Sequence, residues 1–170
     1  MEIFIKQQVI SFGDKFEIFD QNNQLIYYVK GEVFTFGRKL HVYNLQDEEV
    51  CYIYHELFHF LPHYYIEFPD GYKIETIGKF SPFYRKFEVT NLAWKIEGSN
   101  FSHKFNITSD DGNIAEINKE WFSWGDAYHI NVENEKYALI VIALTIVIDG
   151  IMADSEESAA NSSGNHSTNS

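Results

Sequence analysis

The chain predicts a mainly β fold in which a sheet wraps around one hydrophobic helix at the C-terminal end. Short runs of aromatic and β-branched residues alternate with turn signals from residue 2 to about residue 132, the composition of pleated, half-buried strands. The segment Tyr137–Ile148 then breaks the pattern, apolar on every face. Such a segment belongs inside a protein or inside a membrane. It comes last, with only a polar tail behind it.

Strands are expected near 2–8, 14–20, 24–31, 38–45, 49–58, 63–68, 72–79, 84–90, 92–97, 102–108, 113–119 and 124–132, and none of these contains proline. Lys15-Phe-Glu-Ile-Phe19 and Lys73-Ile-Glu-Thr-Ile77 alternate apolar with polar, the period of a strand with one face buried. Asp20-Gln-Asn-Asn-Gln24, Gln46-Asp-Glu-Glu49, Pro69-Asp-Gly71 and Asp110-Asp-Gly-Asn113 sit between such runs as hairpin loops.

A loose internal repeat runs through the sequence. Ser11-Phe-Gly-Asp14, Thr35-Phe-Gly-Arg38 and Ser123-Trp-Gly-Asp126 each precede a strand, and Ser81-Pro-Phe-Tyr84 is a looser copy. The repeats are too irregular for a solenoid and fit a meander of diverged hairpins.

Length decides the state of the last segment, because Ile140, Val141, Ile142, Ile146, Val147 and Ile148 individually prefer strands. As a strand, Tyr137–Met152 would reach ~53 Å. As a helix it is ~24 Å long, which suits the bore of a barrel ~20 Å tall. A helix over about 135–152 is expected, with Asn134 as N-cap and Glu135 complementing the dipole. The rival, a membrane anchor, needs ~20 apolar residues, and Asp149 closes this run too early. The chain therefore divides into one domain over 1–153 and an acidic, Ser/Asn-rich tail over 154–170 expected to be disordered.

A formal net charge of −12 repels phosphate backbones and anionic lipid at long range, so nucleic-acid binding is not expected. The single cysteine, Cys51, excludes an intrachain disulfide framework. It suits a reducing cytoplasm and reads as a small buried hydrophobe.

His55-Glu-Leu-Phe-His59 matches the H-E-x-x-H zinc-hydrolase signature. That chemistry places His55 and His59 on one face of a helix, with Glu56 activating a metal-bound water. Pro62 leaves little room for such a helix, and on a strand the two histidines stand ~13 Å apart. The plainer reading is a decoy, two partly exposed imidazoles on the same face of a strand, with zinc as the minority alternative; no metal, cofactor or catalytic residue is expected. Arg38, Lys39, Arg85 and Lys86 form the only adjacent basic pairs. They are candidate contacts for an anion or lipid head group, against the plainer reading that they are solvated or paired with carboxylates.

Trp121-Phe-Ser-Trp-Gly-Asp-Ala-Tyr-His-Ile130 and the apolar run to Asp149 resemble the C-terminal signature of the LURP-one-related (LOR) family. Phe12–Ile18 with Tyr27–Gly31 is similar to its first hairpin, and Leu61–Tyr64 and Trp94–Gly98 recur in order. The resemblance covers about residues 2–153. It implies the Tubby C-terminal-like fold, a closed twelve-stranded antiparallel barrel threaded by a C-terminal helix. It implies no established activity. The expectation is a non-enzymatic cytoplasmic binding or scaffold protein whose partner is unidentified. The alternatives are a phospholipid or phosphoinositide binder, as in the wider superfamily, and, more remotely, a zinc hydrolase.

Overall fold

The computed structural model describes residues 1–8, 15–33, 35–57, 59, 61–80, 84–99, 103–122 and 125–163. Twelve strands follow one another in antiparallel pairs: β1 Glu2–Gln8, β2 Lys15–Asp20, β3 Leu25–Gly31, β4 Lys39–Tyr43, β5 Glu49–Glu56, β6 His63–Glu67, β7 Lys73–Phe80, β8 Tyr84–Val89, β9 Trp94–Ser99, β10 Lys104–Ser109, β11 Gly112–Phe122 and β12 Gly125–Val132. β1 pairs with both β2 and β12, with Ile3 opposite Ile130. The sheet is thus a closed barrel without edges. Each predicted strand is present, with ends shifted by a few residues.

Strand alternation builds the interior. Phe16 and Ile18, Leu40 and Val42, Cys51 and Ile53, Ile74 and Thr76, and Phe105 and Ile107 all point inward and are at most 1% exposed. After β12, Asn134 caps the 3₁₀ turn Glu135–Tyr137, its side chain accepting from the backbone N–H of Lys136. Helix α1 follows over Ala138–Ser163.

Val141–Met152 lies inside the barrel, every residue of it buried. By length and composition α1 is apolar enough to cross a bilayer, but this stretch is enclosed by strands. Sequestering an Ile or Leu there contributes on the order of 2 kcal/mol per side chain before the entropy of ordering is subtracted. The closed wall also explains why β-branched residues accept a helix. Every ladder position is already taken, so a strand in the bore would leave its N–H and C=O groups without partners, whereas a helix satisfies its own.

The C-terminal boundary differs from expectation. Exposure returns at Ala153, but the helix continues to Ser163 through residues predicted to be disordered. Nothing in Ala153-Asp-Ser-Glu-Glu-Ser-Ala-Ala160 stops it: alanine and glutamate favour helix, and the first Gly or Pro is Gly164. Residues 164–170, the rest of the predicted tail, fall outside the described residues.

The four repeats precede β2, β4, β8 and β12. Even-numbered strands of an up-and-down barrel all start at one end, so β2, β4, β8 and β12 begin at the end where α1 leaves the bore. The first, and parts of the last two, lie outside the described residues. In the second, Gly37 takes φ +78°, a left-handed turn that glycine accepts without strain.

Candidate functional site

The basic residues singled out in the sequence do not converge. Arg38 and Lys39 lie at the start of β4, and Lys86 lies on β8, four strands round the ring. Arg38 turns inward, its Nη1 3.4 Å from Asp149 Oδ2. Lys39 stands 3.7 Å from Glu32, and Lys86 donates to Glu97 at 2.6 Å. Arg85 pairs with Phe80 and Gly98 across the sheet, and its side chain falls outside the described residues.

The H-E-x-x-H segment is not helical where it is described. His55 and Glu56 end β5, so alternation sends them to opposite faces. His55 turns inward and stacks on Tyr64, with ring centroids 4.5 Å apart. His59, in the following loop, stacks on His63 at 4.0 Å and places Nε2 3.2 Å from Glu56. The two imidazoles therefore occupy separate environments, and the one-faced geometry that the zinc chemistry requires is not formed.

A charged cluster sits inside the barrel near the helix exit. Asp149, 2% exposed, accepts from the hydroxyl of Tyr128 at 2.6 Å. Lys119 Nζ lies 3.7 Å from the same oxygen, Oδ1, and Arg38 takes the other, Oδ2. Beside it Gly150 leaves the space used by Arg38 and Tyr64: a Cβ there would lie 2.8 Å from both side chains. The carboxylate thus ties the helix to β4 and, four and five strands away round the ring, to β12 and β11. Cys51, also inside, is held by burial as a thiol, its pKa pushed up to about 12, which leaves little thiolate to react.

The outer wall of β3–β6 carries a continuous aromatic ladder. Tyr28 stacks on Tyr43, His41 on Tyr43 and Tyr52, Tyr52 on Tyr54, and Tyr54 on Tyr65, with centroids 4.7–6.3 Å apart. These are the outward positions of the strands, the counterparts of buried Val29, Val42, Cys51, Ile53 and Ile66. Lysines cap both ends: Lys30 lies over Tyr28 and Tyr43, and Lys73 over Tyr54 and Tyr65. Carboxylates fringe the ladder. His41 faces Glu49 at 2.7 Å and Glu32 at 3.1 Å. Carboxylates only accept, so both contacts are hydrogen bonds when the ring carries two protons.

The same fringe acts on the phenols. Tyr28 bonds to Asp47, which pushes its pKa up to about 12. Burial, then the hydrogen bond to Glu56, raises Tyr65 to about 12. Burial and the surrounding carboxylates raise Tyr52. The bond from Tyr65 and the contact with His59 hold Glu56 below the usual carboxylate range.

At its β6 end the ladder opens into a surface hollow of about 470 Å³ lined by Phe36, Tyr54, His55, Glu56, Leu57, Tyr65 and Lys73. Phe36 is 93% exposed and Leu57 43%, an uncommon placement for such apolar side chains.

The profile of the LURP-one-related family matches residues 1–149. The chain belongs to that family. A relative, the uncharacterized protein YxjI of Bacillus subtilis, is 30% identical over 157 residues, covering 92% of this chain and 97% of YxjI. An X-ray structure of an Arabidopsis thaliana protein has the same fold, with a TM-score of 0.54 at 16% identity, covering 87% of this chain and 90% of that one.

Sequence reasoning did not find the ladder or the Asp149 cluster in this LOR chain. The ladder had a signal: Tyr52 and Tyr54 occupy the polar-facing positions of a strand whose buried face is Cys51 and Ile53. Asp149 had a weaker one, a lone carboxylate closing an apolar run.

Proposed function

We infer that this LOR protein is a non-enzymatic binding module of the cytoplasm and that the outer wall of β3–β6 is its contact surface. The observation that carries this is the ladder itself. A barrel's exterior needs only polar side chains to stay soluble, and the wall formed by β8–β10 has them: Lys86 faces Glu97 and Glu88 faces Lys95. Six stacked rings ending beside an exposed Phe36 exceed what folding requires. Tyrosine and phenylalanine are the residues that supply contact area at protein interfaces. The reading of Arg38, Lys39, Arg85 and Lys86 as phospholipid contacts has less support, because Arg38, Lys39 and Lys86 already engage carboxylates.

A photoreactive aromatic residue installed in place of Tyr52, with Lys95 as the control site, tests this in the native host. Defined adducts from position 52 and none from position 95 are expected. Equal capture at both sites, or none at position 52, would refute the assignment of this wall.

A further inference from the structure

The tyrosine wall is a place where positive charge is collected on aromatic faces. Its outward residues include Glu32, Asp47, Glu49, Glu56, Glu67 and Glu75, against Lys30, Lys39 and Lys73. The wall formed by β8–β10 lacks this excess, with Lys86, Lys95 and Lys104 outward against Glu88 and Glu97. Within the wall Lys73 and Lys30 already sit on ring faces of the ladder. Lys73 Nζ lies 4.2 Å from the Tyr65 centroid and donates to the hydroxyl of Tyr54. Lys30 lies 4.9 Å from the Tyr28 centroid. His41 fills the middle, between two rings and two carboxylates. Lys73, over Tyr65 and 3.9 Å from Glu67, shows how the surface holds a cation: a ring face beneath and a carboxylate beside it.

We propose that the wall of β3–β6 binds a short, extended, arginine-rich segment of a partner protein. Deepening the reading of that wall as the contact surface, this names the partner's chemistry. Arginine fits better than lysine because a planar guanidinium both stacks on a tyrosine and meets a carboxylate in bidentate fashion. The ladder crosses from β3 to β6, three strand spacings or ~14 Å, which about four to five extended residues span. The hollow beside Phe36, Leu57 and Lys73 takes an apolar side chain of the same segment. A second copy of this chain would bring the same excess negative charge to the contact, and an anionic membrane would be repelled by it.

The test titrates full-length protein calorimetrically at physiological salt with three blocked peptides: hexa-arginine, hexa-lysine and hexa-glutamate. Saturable binding of hexa-arginine, weaker binding of hexa-lysine and none of hexa-glutamate are expected. Glu49→Gln with Glu67→Gln removes two charges from the wall, and Glu88→Gln with Glu97→Gln removes two from the other side. Circular dichroism establishes that both variants remain folded. The first pair is expected to weaken hexa-arginine binding by about tenfold or more, the second by less than about twofold. Equal weakening by both pairs would mean diffuse charge attraction and would overturn the proposal. So would hexa-lysine binding as tightly as hexa-arginine, no binding by the native protein, or ladder-dependent self-association in sedimentation. If the peptides fail while a residue at position 52 still crosslinks a partner, the chemistry assigned here is wrong and the contact surface stands.

Discussion

The walls of β3–β6 and β8–β10 share a backbone plan and differ almost entirely on the outside. Inward, both present apolar side chains to the same helix, Val29, Leu40, Val42, Ile53 and Ile66 from one and Phe87, Val89, Ile96, Phe105 and Ile107 from the other. Outward, one stacks Tyr28, Tyr43, His41, Tyr52, Tyr54 and Tyr65, while the other pairs Lys86 with Glu97. A barrel of this kind is specified from within, because a one-residue slip would turn every apolar side chain to water. Its exterior is left free to carry other information. The difference between the walls teaches where to look for function: at outward residues that folding does not need.

If that division is right, the largest losses of stability come from changes inside, whichever wall they touch. Asp149→Ala removes the carboxylate shared by Tyr128, Arg38 and Lys119. Breaking such a buried set costs about 3 kcal/mol or more, read as a lower urea midpoint. Asp149→Asn keeps an acceptor for Tyr128 and should lose less. If both variants unfold like the native protein, the helix is not tied to opposite sides of the ring through this group, and the interior is less constrained than argued.

Gly98→Ala probes the interior behind the charged wall. A Cβ there would stand 2.2 Å from the Phe105 ring, which is buried against the core at 1% exposure. The ring must move into packed surroundings, at about 2–3 kcal/mol. Unchanged melting would show that this wall tolerates overpacking, and the idea of one equally tight interior would fail.

The legible part of the molecule follows the same division. Alternation along each strand and the length of the apolar run are local properties, so the strand number and the enclosed helix could be read directly. The Asp149 cluster could not, because Arg38 lies 111 residues away in sequence and Tyr128 lies 21. Only the closed register brings them together. The ladder was half visible: outward tyrosines can be counted, but stacking across β3–β6 depends on pairings such as Tyr54 with Tyr65 and Tyr28 with Tyr43. His55 to His59 shows the limit of a spacing rule meant for helices, since the same spacing is met here by a strand end and a loop. The helix boundary beyond Met152 was missed because polarity was read as disorder where alanine and glutamate continue the helix.

The sharpest comparison of the two exteriors is a pair of double-mutant cycles, one on each wall. Tyr54 and Tyr65 face each other across β5 and β6, centroids 5.2 Å apart, with Lys73 over both rings. Their coupling, from the Ala single and double variants, should be about 1 kcal/mol and barely change in high salt. Lys86 and Glu97 are also direct neighbours, at 2.6 Å, but their side chains are 54% and 58% exposed. Water and ions screen that pair, so its coupling should be ~0.3 kcal/mol and vanish at about 1 M salt. A stronger, salt-resistant coupling on the charged wall would reverse the ranking. The rings would then be separate surface residues that happen to lie parallel, and the case for a preformed aromatic contact surface would be lost. The ranking as predicted makes the ladder a rigid unit, held in place before any partner arrives, which is what a binding surface with little ordering entropy left to lose requires.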